Sequence, residues 1–145
     1  MDLYSYSESD TIKFAQEVSK AVKGGDVLLL SGELGAGKTS FSKALAFALG
    51  IEEVVTSPTF VILKKYRLPV AQNHIKELVH TDCYRLTTLA DAESIGLAEY
   101  LAQDDLVILI EWPENIASII PERAKKINFE YIDENTRKIT HNFKF

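Results

Sequence analysis

The hydrophobic pattern of the first fifty residues predicts a helix, a buried strand and a second helix. One face of the first helix carries the apolar residues Ile12, Ala15, Val18 and Val22. We expect Ser9 or Asp10 to cap this helix and the pair Gly24-Gly25 to end it. Residues 27–30 are wholly apolar, which is typical of a strand that helices cover on both faces. The second helix is predicted over residues 38–49.

The remaining pattern adds a hairpin or a loose excursion at the sheet edge, a terminal hairpin, two helices and another buried strand. In chain order it predicts strands at 59–68 and 75–80 joined by a loop at 69–73, a helix at 89–103, an apolar strand at 106–110, a helix from Pro113 to about residue 120, and strands at 127–132 and 137–145 around a turn at 133–135. Buried strands that alternate with helices indicate an α/β fold, and the hairpins exclude a purely parallel sheet. We therefore predict one domain over residues 1–145, a three-layer sandwich whose mixed, mainly parallel central sheet has hairpins at its edges.

Composition and charge exclude some classes of protein. The chain has 145 residues, 46% of them hydrophobic and 26% charged, which is typical of a globular protein. No apolar run is long enough for a transmembrane helix, and Cys83 is the one cysteine, so we expect a cytoplasmic protein without a disulfide. With 21 acidic and 16 basic residues, the net charge is −5, which argues against a chain that binds nucleic acid mainly by itself.

The clearest chemistry lies between the first predicted strand and the second predicted helix. Residues 32–39 read Gly-Glu-Leu-Gly-Ala-Gly-Lys-Thr and match the phosphate-loop pattern G-x-x-x-x-G-K-[ST]. Glycines allow the loop to turn its N–H groups inward, and the following helix offers its positive end to phosphate. We expect Lys38 on the β- and γ-phosphates and the Thr39 hydroxyl on Mg²⁺. The candidate nucleotide-binding residues of this segment are Glu33, Leu34, Gly35, Ala36, Gly37, Lys38, Thr39 and Ser40.

Two predicted strands end in a carboxylate of the kind that a phosphate loop needs to hold Mg²⁺, directly or through water. Asp82 follows one strand and Glu111 follows the other. Both are candidate catalytic and metal-binding residues, and Lys38 is the third catalytic candidate. The residues alone leave open which carboxylate holds the metal and which positions or activates water. A surface or helix-capping role is the alternative for each.

Four motifs follow one another in a fixed order. They are residues 32–39, Ser57-Pro58-Thr59-Phe60, His80-Thr81-Asp82-Cys83-Tyr84-Arg85 and Ile110-Glu111-Trp112-Pro113-Glu114. In these motifs the chain resembles the TsaE (YjeE) family, the bacterial P-loop ATPases of tRNA threonylcarbamoyladenosine biosynthesis. The resemblance implies a P-loop NTPase-like fold that binds ATP or ADP with Mg²⁺.

The resemblance also implies roles for single residues. Asp82 is then the carboxylate on the Mg²⁺ side, Glu111 serves hydrolysis or metal binding, and Trp112 lies beside the nucleotide. Ser57, Pro58 and Thr59 resemble a switch loop, in which Thr59 reaches Mg²⁺ or the γ-phosphate when ATP is bound.

The function that the resemblance implies is accessory. The chain would be a slow or partner-stimulated ATPase of the bacterial cytoplasm that resets the TsaD–TsaB pair between turnovers. In that family the pair binds tRNA and transfers the threonylcarbamoyl group to adenosine 37, so this chain would meet tRNA mainly through its partners.

Four motif residues have alternative interpretations. Trp112 on its own is typical of a core residue, and only the resemblance places it at the site. His80 is either part of the site or a hydrogen-bonded strand residue, and Tyr84 is either part of the site or a packing residue. Arg85 stabilises transition-state charge, contacts a partner or forms a structural salt bridge.

Two other functions fit a phosphate loop. A small-molecule kinase would usually carry an arginine-rich lid, whereas the arginines of this chain are Arg67, Arg85, Arg123 and Arg137. A nucleotide sensor that does not hydrolyse ATP would have no need for both Asp82 and Glu111.

Overall fold

The structure is a computed structural model that describes residues 1–56 and 63–145. In chain order its elements are β1 (Asp2–Ser5), α1 (Glu8–Ala21), β2 (Val27–Ser31), α2 (Lys38–Ala48), β3 (Leu63–Gln72), β4 (Ile75–Asp82), α3 (Leu89–Ser94), α4 (Leu97–Leu101), β5 (Leu106–Glu111), a 3-10 helix (Pro113–Ile119), β6 (Lys125–Tyr131) and β7 (Arg137–His141). Within these ranges, no helix is both long enough and apolar enough to cross a membrane.

The described strands form one seven-stranded sheet in the order β1-β7-β6-β2-β5-β4-β3. The four central strands β6, β2, β5 and β4 are parallel to their neighbours. The strands β7 and β3 each run antiparallel to the strands beside them. The expected mixed sheet, with its parallel centre and hairpins near the edges, is confirmed.

Alternation along the central strands builds two cores, one on each face of the sheet. Leu28 and Leu30 of β2 pack with α1 and α2 on one face. Val27 and Leu29 point to the other face and pack with α3, α4 and the 3-10 helix. Because successive side chains of a strand point to opposite faces, a wholly apolar strand requires cover on both sides. The three-layer sandwich is therefore confirmed.

The start of α1 differs from the prediction. Ser7, rather than Ser9 or Asp10, is the N-cap, and its hydroxyl oxygen accepts a hydrogen bond from the Asp10 N–H at 3.3 Å. The Asp10 carboxylate instead accepts from the Tyr6 N–H at 3.0 Å. On this helix Thr11 and Phe14 are buried, whereas Ile12, which was predicted to lie on the apolar face, is 39% exposed.

The strand β1 was not predicted from the sequence. It is four residues long and lies at the edge of the sheet, where β7 is its one partner among the described strands. A short edge strand has no apolar run of its own, and its position depends on a partner more than a hundred residues away.

The first hairpin turns later than predicted. The strand β3 continues through Pro69 to Gln72, and its pairing with β4 is irregular between Arg67 and Gln72. The predicted loop at 69–73 is therefore wrong. The turn is the pair Asn73-His74, with φ values of 51° and 63°. A proline is tolerated here because β3 is an edge strand, and positive φ at both central residues is typical of a two-residue hairpin turn.

The predicted helix over 89–103 is two short helices. Gly96 has a φ of +74°, which ends α3 and starts α4 in a new direction. Thr88 and Asp91 form a capping box at the start of α3. The glycine within the periodic pattern is therefore a break rather than a tolerated helical residue.

We predict that Ser7→Ala lowers the free energy of unfolding by about 1 kcal/mol, because the N-terminus of α1 loses its side-chain acceptor. The matched substitution Ser9→Ala lies inside the first turn and should change this free energy by less than about 0.5 kcal/mol. Urea unfolding followed by circular dichroism measures both. Equal losses in the two variants would contradict Ser7 as the cap.

Candidate functional site

The glycine-rich loop lies between the end of β2 and the start of α2, as its sequence requires. Gly32, Gly35 and Gly37 have φ values of 136°, 78° and 112°. A Cβ atom at Gly32 would lie 2.3 Å from the Phe129 carbonyl oxygen, so glycine is needed there for space as well as for torsion. Gly37 caps α2 without a side chain, and the N–H groups of a first helical turn have no partner within the helix. The loop and helix together form a cradle for an anion.

Lys38 is the first residue of α2 and its side chain returns over the loop. The residue is 6% exposed, and its Nζ donates a hydrogen bond to the Gly32 carbonyl oxygen. The same nitrogen lies 4.4 Å from the ring centroid of Trp112. The ammonium group is therefore held beside the loop by a carbonyl dipole and an aromatic face.

The two carboxylates meet at the carboxyl ends of neighbouring parallel strands. Glu111 of β5 pairs in register with Leu30 of β2 on one side and with Asp82 of β4 on the other. Glu111 is thus one strand away from the strand that leads into the phosphate loop, and Asp82 is two strands away. At about 4.8 Å per strand, this order places Glu111 nearer to the loop.

Different partners hold the two carboxylates. The Glu111 Oε2 lies 2.9 Å from the His80 Nε2, and both side chains are buried. The Asp82 Oδ1 accepts a hydrogen bond from the Tyr84 N–H at 2.9 Å, in the loop that follows β4. His80, for which the sequence left a site role and a hydrogen-bonded strand residue open, is a buried residue of β4 in hydrogen-bond contact with Glu111.

An aromatic pair lies at one side of the loop. The rings of Tyr84 and Trp112 are 5.0 Å apart between centroids, and Tyr84 is 59% exposed. Trp112 has a φ of +56°, which turns the chain sharply between β5 and the 3-10 helix. This turn places the indole ring between Lys38 and Tyr84.

These elements surround a cleft of about 760 Å³. Among the predicted residues, the cleft is lined by Leu34, Gly35, Gly37, Lys38, Thr39, Ser40, Asp82, Tyr84, Arg85, Glu111 and Trp112. Glu33 and Ala36 belong to the loop without lining the cleft, and His80 lies behind Glu111. The predicted switch residues Ser57, Pro58 and Thr59 lie outside the described residues.

Part of the cleft was missed by the sequence reasoning. Its far wall comes from the start of the chain and from the last hairpin, through Ser5, Tyr6, Ser7, Glu8, Thr11, Glu134, Asn135 and Arg137. The pairing of β1 with β7 places Ser5 opposite Arg137 and so brings the two ends of the chain together. No local pattern marks these residues, because their proximity follows from an edge pairing that the sequence did not predict.

The donor atoms at the cleft suit a magnesium ion. Thr39, Asp82 and Glu111 offer one hydroxyl and two carboxylates, which are the hard oxygen ligands that Mg²⁺ prefers. Across the part of the chain that the structure describes, no cluster of three or more histidine, cysteine, aspartate or glutamate residues forms a metal site. A site of this kind fits an ion that is held by one or two protein groups together with substrate phosphates.

Comparison with known proteins finds similarity over nearly the whole chain. The family described as "Threonylcarbamoyl adenosine biosynthesis protein TsaE" matches residues 5–139. The tRNA threonylcarbamoyladenosine biosynthesis protein TsaE of Treponema pallidum is 39% identical over 140 residues, which cover 97% of this chain and 98% of that protein. The protein of the same description from Bacillus subtilis is 37% identical, over 90% of this chain and 78% of its own.

A solved structure agrees with the fold. The crystal structure of YdiB from Bacillus subtilis matches this chain with a TM-score of 0.76 and 31% sequence identity, covering 97% of this chain and 83% of that one. Because the match covers 97% of this chain, the similarity is not confined to the phosphate loop.

Cys83, beside Asp82, provides a test of how tightly this part of the site is packed. The residue is fully buried, and burial raises the pKa of its thiol to about 12. At pH 8 the thiolate is then about a thousandfold scarcer than for a thiol of pKa 9.0. We predict that a thiol reagent labels the native chain at least about a thousandfold more slowly than the urea-unfolded chain. Rapid labelling of the native chain would contradict this packing.

Proposed function

The chain belongs to the TsaE family of threonylcarbamoyl adenosine biosynthesis proteins, and we propose that within this biosynthesis it acts as a Mg²⁺-dependent ATPase. The observation that carries the proposal is the single cleft in which Lys38, Thr39 and Glu111 meet a glycine-rich loop. The presence of both Asp82 and Glu111 in this cleft favours hydrolysis over a nucleotide sensor, because one carboxylate can hold Mg²⁺ while the other positions water.

The phosphates of ATP occupy the loop end of the cleft. The N–H groups at the start of α2 and the Lys38 ammonium supply positive charge to the β- and γ-phosphates. Since the Lys38 Nζ already rests on the Gly32 carbonyl, it exchanges a neutral acceptor for a charged one when a phosphate binds.

Thr39 and Glu111 are the proposed protein ligands of Mg²⁺. Glu111 is closer in register to the phosphate loop than Asp82 is, which supports the division that the sequence left open. When bound, Mg²⁺ neutralises charge on the phosphate oxygens. Asp82 then holds or orients water at the edge of the site, since one of its oxygens is already bonded to the Tyr84 N–H.

The nucleoside occupies the opposite end of the cleft, against the wall formed by the start of α1 and the last hairpin. Trp112 and Tyr84 flank the phosphate end, and Arg85 lines the same cleft. The proposed switch role of Ser57, Pro58 and Thr59 rests on the family resemblance alone.

The biological role follows from the family. We expect this chain to act in the cytoplasm on the TsaD–TsaB pair and to use ATP to support its repeated turnover. The net charge of −5 suits a chain that leaves most of the tRNA contact to its partners.

We predict that Lys38→Ala weakens binding of Mg-ATP by about tenfold to a hundredfold, because a hydrogen bond to a charged group contributes about 1.5–3 kcal/mol. Isothermal titration calorimetry measures the change. Lys43→Ala is the matched control, since it removes the same charge from an exposed position of the same helix. Equal affinities in the two variants would contradict the phosphate site.

The emission of Trp112 is expected to change when Mg-ADP binds. This residue is the only tryptophan, and its ring lies 4.4 Å from the Lys38 nitrogen that must move to the phosphates. A fluorescence titration should give the same dissociation constant as calorimetry. An unchanged emission at saturating Mg-ADP would contradict the place of Trp112 beside the nucleotide.

A further inference from the structure

At the wall of the cleft, the buried carboxylate of Glu111 contacts a buried histidine, His80. The Nε2 of His80 and the Oε2 of Glu111 are 2.9 Å apart, and the two side chains are 1% and 4% exposed. His80 lies two residues before the end of β4 and Glu111 is the last residue of β5, so the contact joins neighbouring parallel strands.

The direction of this hydrogen bond follows from the chemistry of its atoms. A carboxylate oxygen accepts, so the His80 Nε2 carries the proton and donates it. The other ring nitrogen, Nδ1, is buried and has no hydrogen-bond partner among the described residues. A buried polar atom without a partner is unfavourable, so an apolar residue would suit this position better if packing were its only role.

The contact restricts the orientation of the Glu111 side chain. A glutamate side chain has three rotatable bonds, and a free one at the cleft wall would sample several orientations. The hydrogen bond from His80 holds one oxygen against the sheet. The orientation of the other oxygen, which is the one left for a ligand in the cleft, is thereby restricted.

We propose that His80 is a positioning residue, which holds Glu111 in the orientation that binds Mg²⁺ in the nucleotide complex. The inference rests on the proposed function, because it requires Glu111 to be a ligand of Mg²⁺. Partners of this kind behind a metal ligand typically change metal affinity by about tenfold to a hundredfold.

His80 acts on one of the two carboxylates only. Asp82 is held by the Tyr84 N–H of its own loop, whereas the described contact that holds Glu111 comes from the neighbouring strand. Loss of the His80 donor should therefore affect the Mg²⁺-dependent part of binding and leave metal-free nucleotide binding unchanged.

The test compares His80→Gln with His80→Asn. The terminal nitrogen of glutamine reaches about as far from the backbone as Nε2, whereas the asparagine nitrogen reaches only as far as Nδ1. Calorimetry gives the affinity for ADP with Mg²⁺ and with EDTA, and the ratio of the two is the metal contrast. We expect H80N to lower this contrast by about tenfold or more. H80Q should keep it within about threefold of the wild type, and ADP binding in EDTA should be equal in all three chains.

His141 provides the matched control for loss of a buried histidine. It is also buried, its Nδ1 also has no partner within the described chain, and it lies at the end of β7 that is remote from the cleft residue Arg137. H141N should lower the thermal unfolding temperature and leave the metal contrast unchanged. Equal losses of contrast in H80N and H141N would reduce His80 to a packing residue and overturn the inference.

A double-mutant cycle tests whether His80 acts through Glu111. In an E111Q background, H80N should produce no further loss of metal contrast. Should H80N fail to fold, H80L removes the same donor without introducing another buried polar group. A folded H80N or H80L with the contrast of the wild type overturns the inference. So does an H80Q as defective as H80N.

One result separates this inference from the proposed function. A wild-type chain whose ADP affinity is the same with Mg²⁺ and with EDTA contradicts the metal site itself, and the inference falls with it. A wild-type chain with a clear contrast that His80 variants retain contradicts the role of His80 alone.

Discussion

The parallel pairing of β2, β5 and β4 determines where the phosphate loop and the two carboxylates of the site lie. Leu30, Glu111 and Asp82 are neighbours in register, so the phosphate loop and both carboxylates lie at the carboxyl ends of these strands. A slip of one residue would turn Glu111 and His80 to the other face. The alternating cores on the two faces of β2 and β5 oppose such a slip, because it would also invert every buried leucine and isoleucine of these strands.

The two ends of the chain complete the cleft. The strand β1 is tied to β7 by its ladder and by the N-terminal ammonium, which donates to the His141 carbonyl oxygen at 2.7 Å. The ion pair of Asp2 with Lys138 is exposed on the aspartate side and adds little to stability. The backbone pairing of β1 with β7 therefore positions this side of the cleft. Ser5, Thr11 and Arg137 line the same cleft as Lys38.

Local patterns were enough to predict the phosphate loop, the buried strands and the carboxylates at their ends. Each depends on consecutive residues, such as the apolar run before Gly32 or before Glu111. The same reasoning missed β1, the turn at Asn73-His74 and the break at Gly96, because these depend on pairing or torsion rather than on hydrophobic period. The contact of His80 with Glu111 joins residues 31 apart in sequence, so only the sheet register reveals it.

We propose that this chain uses ATP for the modification of tRNA by partner proteins. The decisive measurement is Mg-ATP hydrolysis by the purified chain, alone and with TsaD, TsaB and tRNA, with modified tRNA counted in the same reaction. We expect slow ATP hydrolysis by the chain alone and faster ATP hydrolysis with the partners. We also expect repeated modification of tRNA only while ATP is hydrolysed. Rapid hydrolysis that ignores the partners, or repeated modification without this chain, would contradict this proposal.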